Sequence, residues 1–219
     1  MKIIPIIMIP FLLLSTNISY AEFKPISISQ TKNEVQEYYE SGEHEVDLKI
    51  ISQNIKTTLL NEANINNDNK KLSIIFDIDD TALNNYKSMK ADGFSNTDKL
   101  WDRIQEQVDI PTNKPMLEVN NYAQKLGYTV FFITARLDKY TNTTKQSLKN
   151  AGYNNYAGLY LITNKYVNMP FNEFKTDMRK NIEKSGYTII ANIGDQYSDL
   201  TGGHSKFVYK LPNYMYGSY

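Results

Sequence analysis

Five short apolar runs, each bounded by turn residues, leave this chain few folds to adopt. They cover residues 72–76, 129–133, 158–162, 188–193 and, more weakly, 206–211. The first is rich in β-branched and aromatic residues, the pattern of a strand buried on both faces in the centre of a parallel sheet. Helical patterns lie between the runs, at 116–126, 140–150 and 172–185. Such alternation means βαβ units and a mainly parallel central sheet with helices on both faces. Upstream, residues 30–60 read as an N-terminal helical region packed as a support, because Val35, Tyr38, Tyr39, Val46, Leu48, Ile51 and Ile55 recur at helical spacings, with a break near Gly42. Residues 61–71, carrying Asn61, Asn64, Asn66, Asn67, Asp68 and Asn69, read as the loop before the first strand.

The strand ends carry the chemistry. The first run ends in Asp77-Ile78-Asp79-Asp80-Thr81, where open α/β sheets place their ligands. If strand geometry continues through Asp79, side-chain alternation puts Asp77 and Asp79 on one side. Two carboxylates that close repel until a cation or a shared proton relieves them; the plainer reading is an Asp-rich turn. The second run leads into Thr134-Ala135-Arg136, a hydroxyl and a backbone N–H able to donate to one oxyanion, or equally an N-cap. In the fourth, Gly194-Asp195-Gln196-Tyr197-Ser198-Asp199 brings Asp195 and Asp199 to one face if a helical turn follows, with Gly194 permitting a tight turn. Lys175, in Phe174-Lys175-Thr176-Asp177, would alone read as a surface lysine. Taken with the strand ends, it adds positive charge beside Thr134 for a phosphate. Oxygen ligands from Asp77 and Asp195, without a His or Cys cluster, suit Mg²⁺ rather than zinc. His44 and His204 have no partners at metal-ligand spacing and are read as non-catalytic.

Composition narrows the setting. Residues 1–21 combine Lys2, an apolar run at 3–14 and the small-residue ending Ser19-Tyr20-Ala21, which reads as a secretory signal peptide cleaved before Glu22. That run is shorter than the roughly 20 residues of a membrane-spanning helix, and no later segment is apolar enough to serve. The chain has no cysteine, so neither a disulfide framework nor an acylated anchor is expected. A single soluble domain over 22–219, periplasmic or secreted and of bacterial composition, is the expectation. Lys plus Arg equal Asp plus Glu at 24 each, with no basic stripe, which argues against a nucleic-acid polymer as partner.

These motifs resemble those of haloacid dehalogenase (HAD) superfamily phosphatases. The matching residues are Asp77-Ile78-Asp79-Asp80-Thr81, Thr134, Lys175 and Gly194-Asp195-Gln196-Tyr197-Ser198-Asp199. A narrower likeness is to secreted acid phosphatases related to bacterial class B enzymes and plant vegetative storage proteins, subfamily IIIB. It rests on Phe76-Asp77-Ile78-Asp79-Asp80-Thr81-Ala82-Leu83-Asn84-Asn85, Phe131-Phe132-Ile133-Thr134-Ala135-Arg136, Gly194 to Leu200 and Tyr209-Lys210-Leu211-Pro212-Asn213. Ala135 stands where many relatives have Gly, and Tyr197 where many have Trp. The absent cysteine sets the chain apart from lipid-anchored class C types.

The resemblance implies a Rossmann-like HAD fold and a division of labour. Asp77 would attack phosphorus and Asp79 would act as acid and base, holding a proton that Asp77 lacks. Mg²⁺ would be bound by Asp77, the Asp79 backbone carbonyl and Asp195, with Asp199 assisting. Thr134, Ala135 and Lys175 would hold the phosphate; Thr81 would orient Asp79, and Asp80 would be a turn residue or one that supports the site from behind its ligands. Arg136 would contact substrate or pair with a carboxylate. The small helical cap insert, about 85–115, carries Tyr86, Phe94 and Trp101, which would either sandwich an aromatic leaving group or form the insert's own core. The implied activity is acid hydrolysis of small-molecule phosphate monoesters with broad specificity. Phosphoryl transfer to alcohols, or a non-enzymatic storage or binding role, is the alternative, and homo-oligomerisation is left open.

Overall fold

All five expected strands form, in one wholly parallel sheet of order β3-β2-β1-β4-β5. The strands are β1 Lys71–Phe76, β2 Thr129–Leu137, β3 Gly158–Ile162, β4 Tyr187–Gly194 and β5 Phe207–Lys210. The computed structural model describes residues 26–66 and 68–217, so the expected signal peptide lies outside the described residues. β1 takes the centre because it is apolar on both faces: Leu72, Ile74 and Phe76 enter one core layer and Ile75 the other. Burying each such side chain stabilises the fold by about 1.5–3 kcal/mol. From β1 the chain steps outward through β2 to β3, then crosses back to lay β4 on the other side of β1. The reversal therefore falls between β1 and β4, and the crevice beyond their carboxyl ends is where such sheets bind ligands.

Helices cover both faces, as the alternation predicts. The helices are α1 Ile28–Glu40, α2 Glu43–Asn64, α3 Tyr86–Ala91, α4 Asp98–Glu106, α5 Lys114–Lys125, α6 Thr141–Asn150, α7 Phe171–Lys184 and α8 Tyr197–Leu200. On one face Leu48, Ile55 and Leu59 of α2 meet Met116, Val119 and Ala123 of α5. On the other, Phe174, Met178 and Ile182 of α7, four residues apart, form a single apolar stripe. Between β1 and α5 the chain inserts α3 and α4, and α6 grips the end of α4: Ser147 Oγ donates to the Gln107 carbonyl at 2.6 Å and Thr143 Oγ1 to that of Gln105 at 2.7 Å. Among the described residues, no helix is long and apolar enough to cross a membrane.

Two boundaries differ from the expectation by more than two residues. Asn61 and Asn64 lie in α2, not in a loop, because Leu59 and Ala63 pack on the core and outweigh the weak helix propensity of Asn. β2 runs through Thr134 to Leu137, with its register against β3 shifting between Ile133 and Leu137. Gln105 Oε1 accepts the Leu137 N–H at 2.9 Å and holds this irregular extension against α4.

The break between α1 and α2 sits at Gly42, whose φ of 88° is one that glycine adopts without strain. Just beyond it His44 is buried, its ring 4.3 Å from that of Tyr39. Burial pushes the imidazole below its ordinary value, and a hydrogen bond to the Pro212 carbonyl offsets this only in part. As pH falls, the unfolded chain then takes up this proton before the folded one, so stability declines from about pH 6.5 downward, through the folded value. Melting temperature should fall more steeply between about pH 7.5 and about pH 5 in the wild type than in His44→Phe. Parallel curves for the two proteins would remove His44 from that account.

Candidate active site

At the end of β1 the backbone makes one more sheet bond, from the Asp77 N–H to the Ile193 carbonyl at 2.9 Å, and then turns. The Ile78 carbonyl accepts the Leu83 N–H at 2.9 Å, and Asp80 adopts a left-handed φ of 57°, which Asp tolerates better than most residues. Strand geometry thus stops at Phe76, and the expected same-side alternation of Asp77 and Asp79 does not carry past it. The two carboxylates face different cations instead. Lys175 Nζ donates to Asp77 Oδ1 at 2.6 Å, whereas Asp79 accepts from Arg136 Nε at 2.9 Å, Arg136 Nη2 at 2.7 Å and Asn85 Nδ2 at 2.9 Å.

β4 delivers the second carboxylate loop. A Cβ on Gly194 would lie 2.4 Å from the Asp199 side chain, so only glycine lets the loop fold back this tightly. The Gln196 N–H donates to Asp199 Oδ2 at 2.8 Å, and the first turn of α8 holds Asp199 beneath Asp195 and beside Asp77. Oxygens of Asp77, Asp195 and Asp199 all lie within 4.8 Å of one another, and the three side chains are buried. Lys175, on α7, donates to Asp199 as well as to Asp77. One ammonium thus serves two carboxylates, with a third close by.

Electrostatics follow from that crowding. Burial pushes Asp77 well above the usual carboxylate range; Lys175 opposes this, while Asp199, Asp195 and Asp79 add to it. Burial and the Asp199 charge push Asp195 up to about 6. Asp80 rises to about 8, through burial and then Asp195. Burial also acts on Asp79, but there the Arg136 charge, its hydrogen bonds and Asn85 win, and the carboxyl is held below its ordinary value. Against burial, Asp199 and Asp77 keep Lys175 firmly protonated. Asp77 is thus pushed up and Asp79 held down. The cause is that Asp79 has a guanidinium largely to itself, while Asp77 shares its ammonium.

Other site residues also find partners that the sequence did not indicate. Thr81 Oγ1 donates to Asp195 Oδ1 at 3.1 Å, so it orients Asp195 rather than Asp79. Arg136 is buried on Asp79 and near Thr144, which directs its guanidinium to a carboxylate and not to an open substrate surface. Thr134 Oγ1 accepts the Arg136 N–H at 3.2 Å, which leaves its hydroxyl hydrogen able to donate. Ala135 is half-buried beside it, against the second core layer. Tyr86 stacks on Tyr39 at 4.8 Å and donates to Glu40 at 2.8 Å; Trp101 lies edge-on to Tyr216 at 5.0 Å and donates to Asn96 at 2.8 Å. Both aromatics pack on the main core, so at least part of each ring surface is occupied. Asp80 accepts from Tyr216 Oη at 2.7 Å and from the Asn85 N–H at 2.8 Å, which makes it a buried junction and not only a turn residue.

Asn85, Arg179, Asn213 and Tyr216 carry parts of the site that sequence reasoning did not assign. Arg179 is 0% exposed, and burial lowers its guanidinium to about 10. It donates to the carbonyls of Asp199 at 2.7 Å and Gly203 at 2.8 Å, and to that of Thr201, so it braces the loop that carries the carboxylates. Replacing it by Met strands those carbonyls. Arg179→Met should lower unfolding free energy by roughly 2–4 kcal/mol in urea titrations. Wild-type stability in that variant would contradict the bracing role.

Three buried carboxylates served by one lysine form an all-oxygen, net-negative donor set, which fits a hard divalent cation. Comparison with known proteins agrees with this chemistry. Residues 15–219 match the family described as HAD superfamily, subfamily IIIB (acid phosphatase). The chain is 34% identical over 148 residues to a stem 31 kDa glycoprotein of Glycine max, with 65% of this chain and 58% of that one covered. Acid phosphatase 1 of Solanum lycopersicum is 32% identical over 146 residues, covering 65% and 57%. Vegetative storage protein 1 of Arabidopsis thaliana is 31% identical over 148 residues, covering 65% and 54%. The matched part is under three-fifths of the length of these relatives. Among solved structures, the class C acid phosphatase of Bacillus anthracis shares the fold, with a TM-score of 0.67, 19% identity and coverage of 87% and 86%. A second structure of it, with tungstate bound, gives 0.69 at 18% identity.

Proposed function

The chain belongs to the acid phosphatases of HAD superfamily subfamily IIIB, and from that premise we propose that it is a Mg²⁺-dependent phosphomonoesterase that works through a phosphorylated Asp77. The observation that carries this reading is the placement of Asp77. It lies buried at the β1/β4 crevice, 2.6 Å from Lys175 and grouped with Asp195 and Asp199. The tungstate held by the class C neighbour is a tetrahedral oxyanion, as phosphate is, which supports an oxyanion substrate on this fold.

In the proposed reaction an Asp77 carboxylate oxygen attacks phosphorus while the bond from phosphorus to the ester oxygen breaks. Asp79 gives its proton to the departing alcohol. It then takes a proton from the water that attacks the aspartyl-phosphate, which frees phosphate and restores Asp77. Lys175 and the Thr134 hydroxyl hold phosphoryl oxygens, with the Ala135 backbone beside them. A bound Mg²⁺ supplies charge neutralisation between nucleophile and phosphate, with Asp77, the Asp79 backbone carbonyl, Asp195 and Asp199 as its holders. Arg136 and Asn85 hold the Asp79 carboxyl below its ordinary value, and the negative charge of a bound phosphate would raise it toward the protonated form; acidic working conditions follow from the family likeness. The 85–115 insert would cap the site, with Tyr86 and Trp101 as walls that admit more than one leaving group. A secreted or periplasmic location rests on the sequence of residues 1–21.

Asp77→Asn should lower hydrolysis of p-nitrophenyl phosphate by ~10³-fold or more while circular dichroism stays that of the wild type. Substantial turnover by the variant would end the covalent reading. In a panel of aryl, alkyl and nucleoside phosphates with ethanol as competing acceptor, free phosphate should be the main product. Alkyl phosphate formed in preference would mark a transferase, and zero turnover throughout would favour a storage or binding role.

Metal dependence is tested separately. EDTA followed by gel filtration should abolish activity, and added Mg²⁺ should restore it, because the single ammonium of Lys175 faces three crowded carboxylates and offsets them only in part. Full activity after chelation would exclude the metal from the reaction.

A further inference from the structure

The segment that follows β5 is tied to the carboxylate cluster by side chains that the proposed reaction leaves unused. The Leu211 N–H donates to the Gly194 carbonyl at 2.9 Å, so the strand's pairing continues to the residue just before Asp195. Two residues later Asn213 Nδ2 donates to Asp195 Oδ2 at 2.7 Å. The other end of the same amide is also engaged: Asn213 Oδ1 accepts the Met215 N–H at 2.8 Å. A backbone N–H can only donate, so this second bond fixes which way the amide faces and aims its NH₂ at the carboxylate. Met215 is buried in the main core, and Tyr216 reaches Asp80. The segment is therefore anchored on both sides of Asn213.

The described donors to Asp195 are neutral. Thr81 Oγ1 approaches Oδ1 at 3.1 Å, and Gln196 Nε2 and Asn213 Nδ2 approach Oδ2 at 2.6 and 2.7 Å. Asp77 and Asp199, by contrast, are held by the ammonium of Lys175. Neutral donors fix the orientation of a carboxylate without cancelling its charge, and a carboxylate has about four acceptor sites, so Asp195 keeps both charge and a lone pair for a cation. Thr81 and Gln196 lie beside the two aspartates in sequence, whereas Asn213 comes from the far end of the chain.

We infer that Asn213 is a positioning residue for the metal carboxylate Asp195, through which the segment after β5 sets the affinity of the site for its divalent cation. This rests on the proposed Mg²⁺ site. Partners that orient a metal ligand typically change affinity by about 10- to 100-fold when removed.

The test is calorimetric titration of Mg²⁺ into the metal-free full-length protein, backed by the rise in melting temperature that Mg²⁺ produces. Asn213→Ala should bind Mg²⁺ about 10-fold or more weakly. Asn213→Leu, which keeps the volume of the side chain without its donor, should do the same and guards against a variant that fails to fold. Tyr214→Ala is the control, because Tyr214 lies on the same segment, is 61% exposed and packs edge-on to Tyr38 away from the carboxylates. It should bind Mg²⁺ as the wild type does. If the wild type binds Mg²⁺ and both Asn213 variants match it, the positioning role is overturned while the metal site stands. Equal weakening in Tyr214→Ala would overturn it too, because loosening of the segment would then be the cause. A wild type that binds no Mg²⁺ sinks the metal reading itself, and this inference with it.

Discussion

Charge crowding at the carboxyl ends of β1 and β4 is the constraint around which the rest of the molecule is arranged. Asp77, Asp80, Asp195 and Asp199 are all buried there, with Asp79 partly so, and the cations that touch them are Lys175 and Arg136. Buried charges of one sign are costly unless paired and hydrogen-bonded, so each carboxylate has a named set of donors. Where a cation is not to hand, neutral groups are used: Thr81, Gln196 and Asn213 for Asp195, and Asn85 and Tyr216 for Asp80. The arrangement leaves the cluster short of positive charge. That deficit is a liability for stability and an advantage for a site meant to receive a cation.

The parallel sheet makes the crowding possible. Because β1 lies between β2 and β4, the loops that follow those strands converge from three directions, and α7 brings Lys175 in from a fourth. Gly194 gives Asp199 room to fold back, and Arg179 ties down the chain beyond it. The bonds of Arg179 go to backbone carbonyls and to the Thr176 hydroxyl. Gly194 and Arg179 both act on the backbone, which is why their side-chain chemistry, absent in one case and buried in the other, says little about the reaction.

What could be read from the sequence was what local pattern controls. Strand 158–162 matches the structure residue for residue, and the central strand differs by one position, because apolar runs bounded by turns report burial directly. The α/β fold and the family were legible for the same reason, together with the order of the acidic motifs. Pairings across the chain were not. That Thr81 serves Asp195, 114 residues away, or that Arg136 serves Asp79 at a separation of 57, depends on side-chain directions after a turn. That turn is set by the left-handed backbone at Asp80, one φ angle that no periodicity encodes. Asn213 was visible only as part of a terminal motif, and nothing in its neighbourhood marks it as a partner for Asp195.

The opposite shifts of Asp77 and Asp79 bear on the reaction proposed for this site. In the proposed reaction the nucleophile must be ionised and the general acid protonated, whereas burial and the neighbouring carboxylates raise Asp77 and Arg136 lowers Asp79. Positive charge placed beside Asp77, Asp195 and Asp199 would lower the proton affinity of Asp77 most, because that is the group whose neighbours are mainly negative. Asp79 already has its guanidinium, so the same charge would change it less. A cation held by these carboxylates would favour the ionised form of Asp77. Substrate, which brings negative charge toward Asp79, acts the other way and favours protonation there. In the proposed reaction a cation beside Asp77 and a phosphate near Asp79 would thus act in opposite directions on the two carboxyls, each toward the form that its role requires.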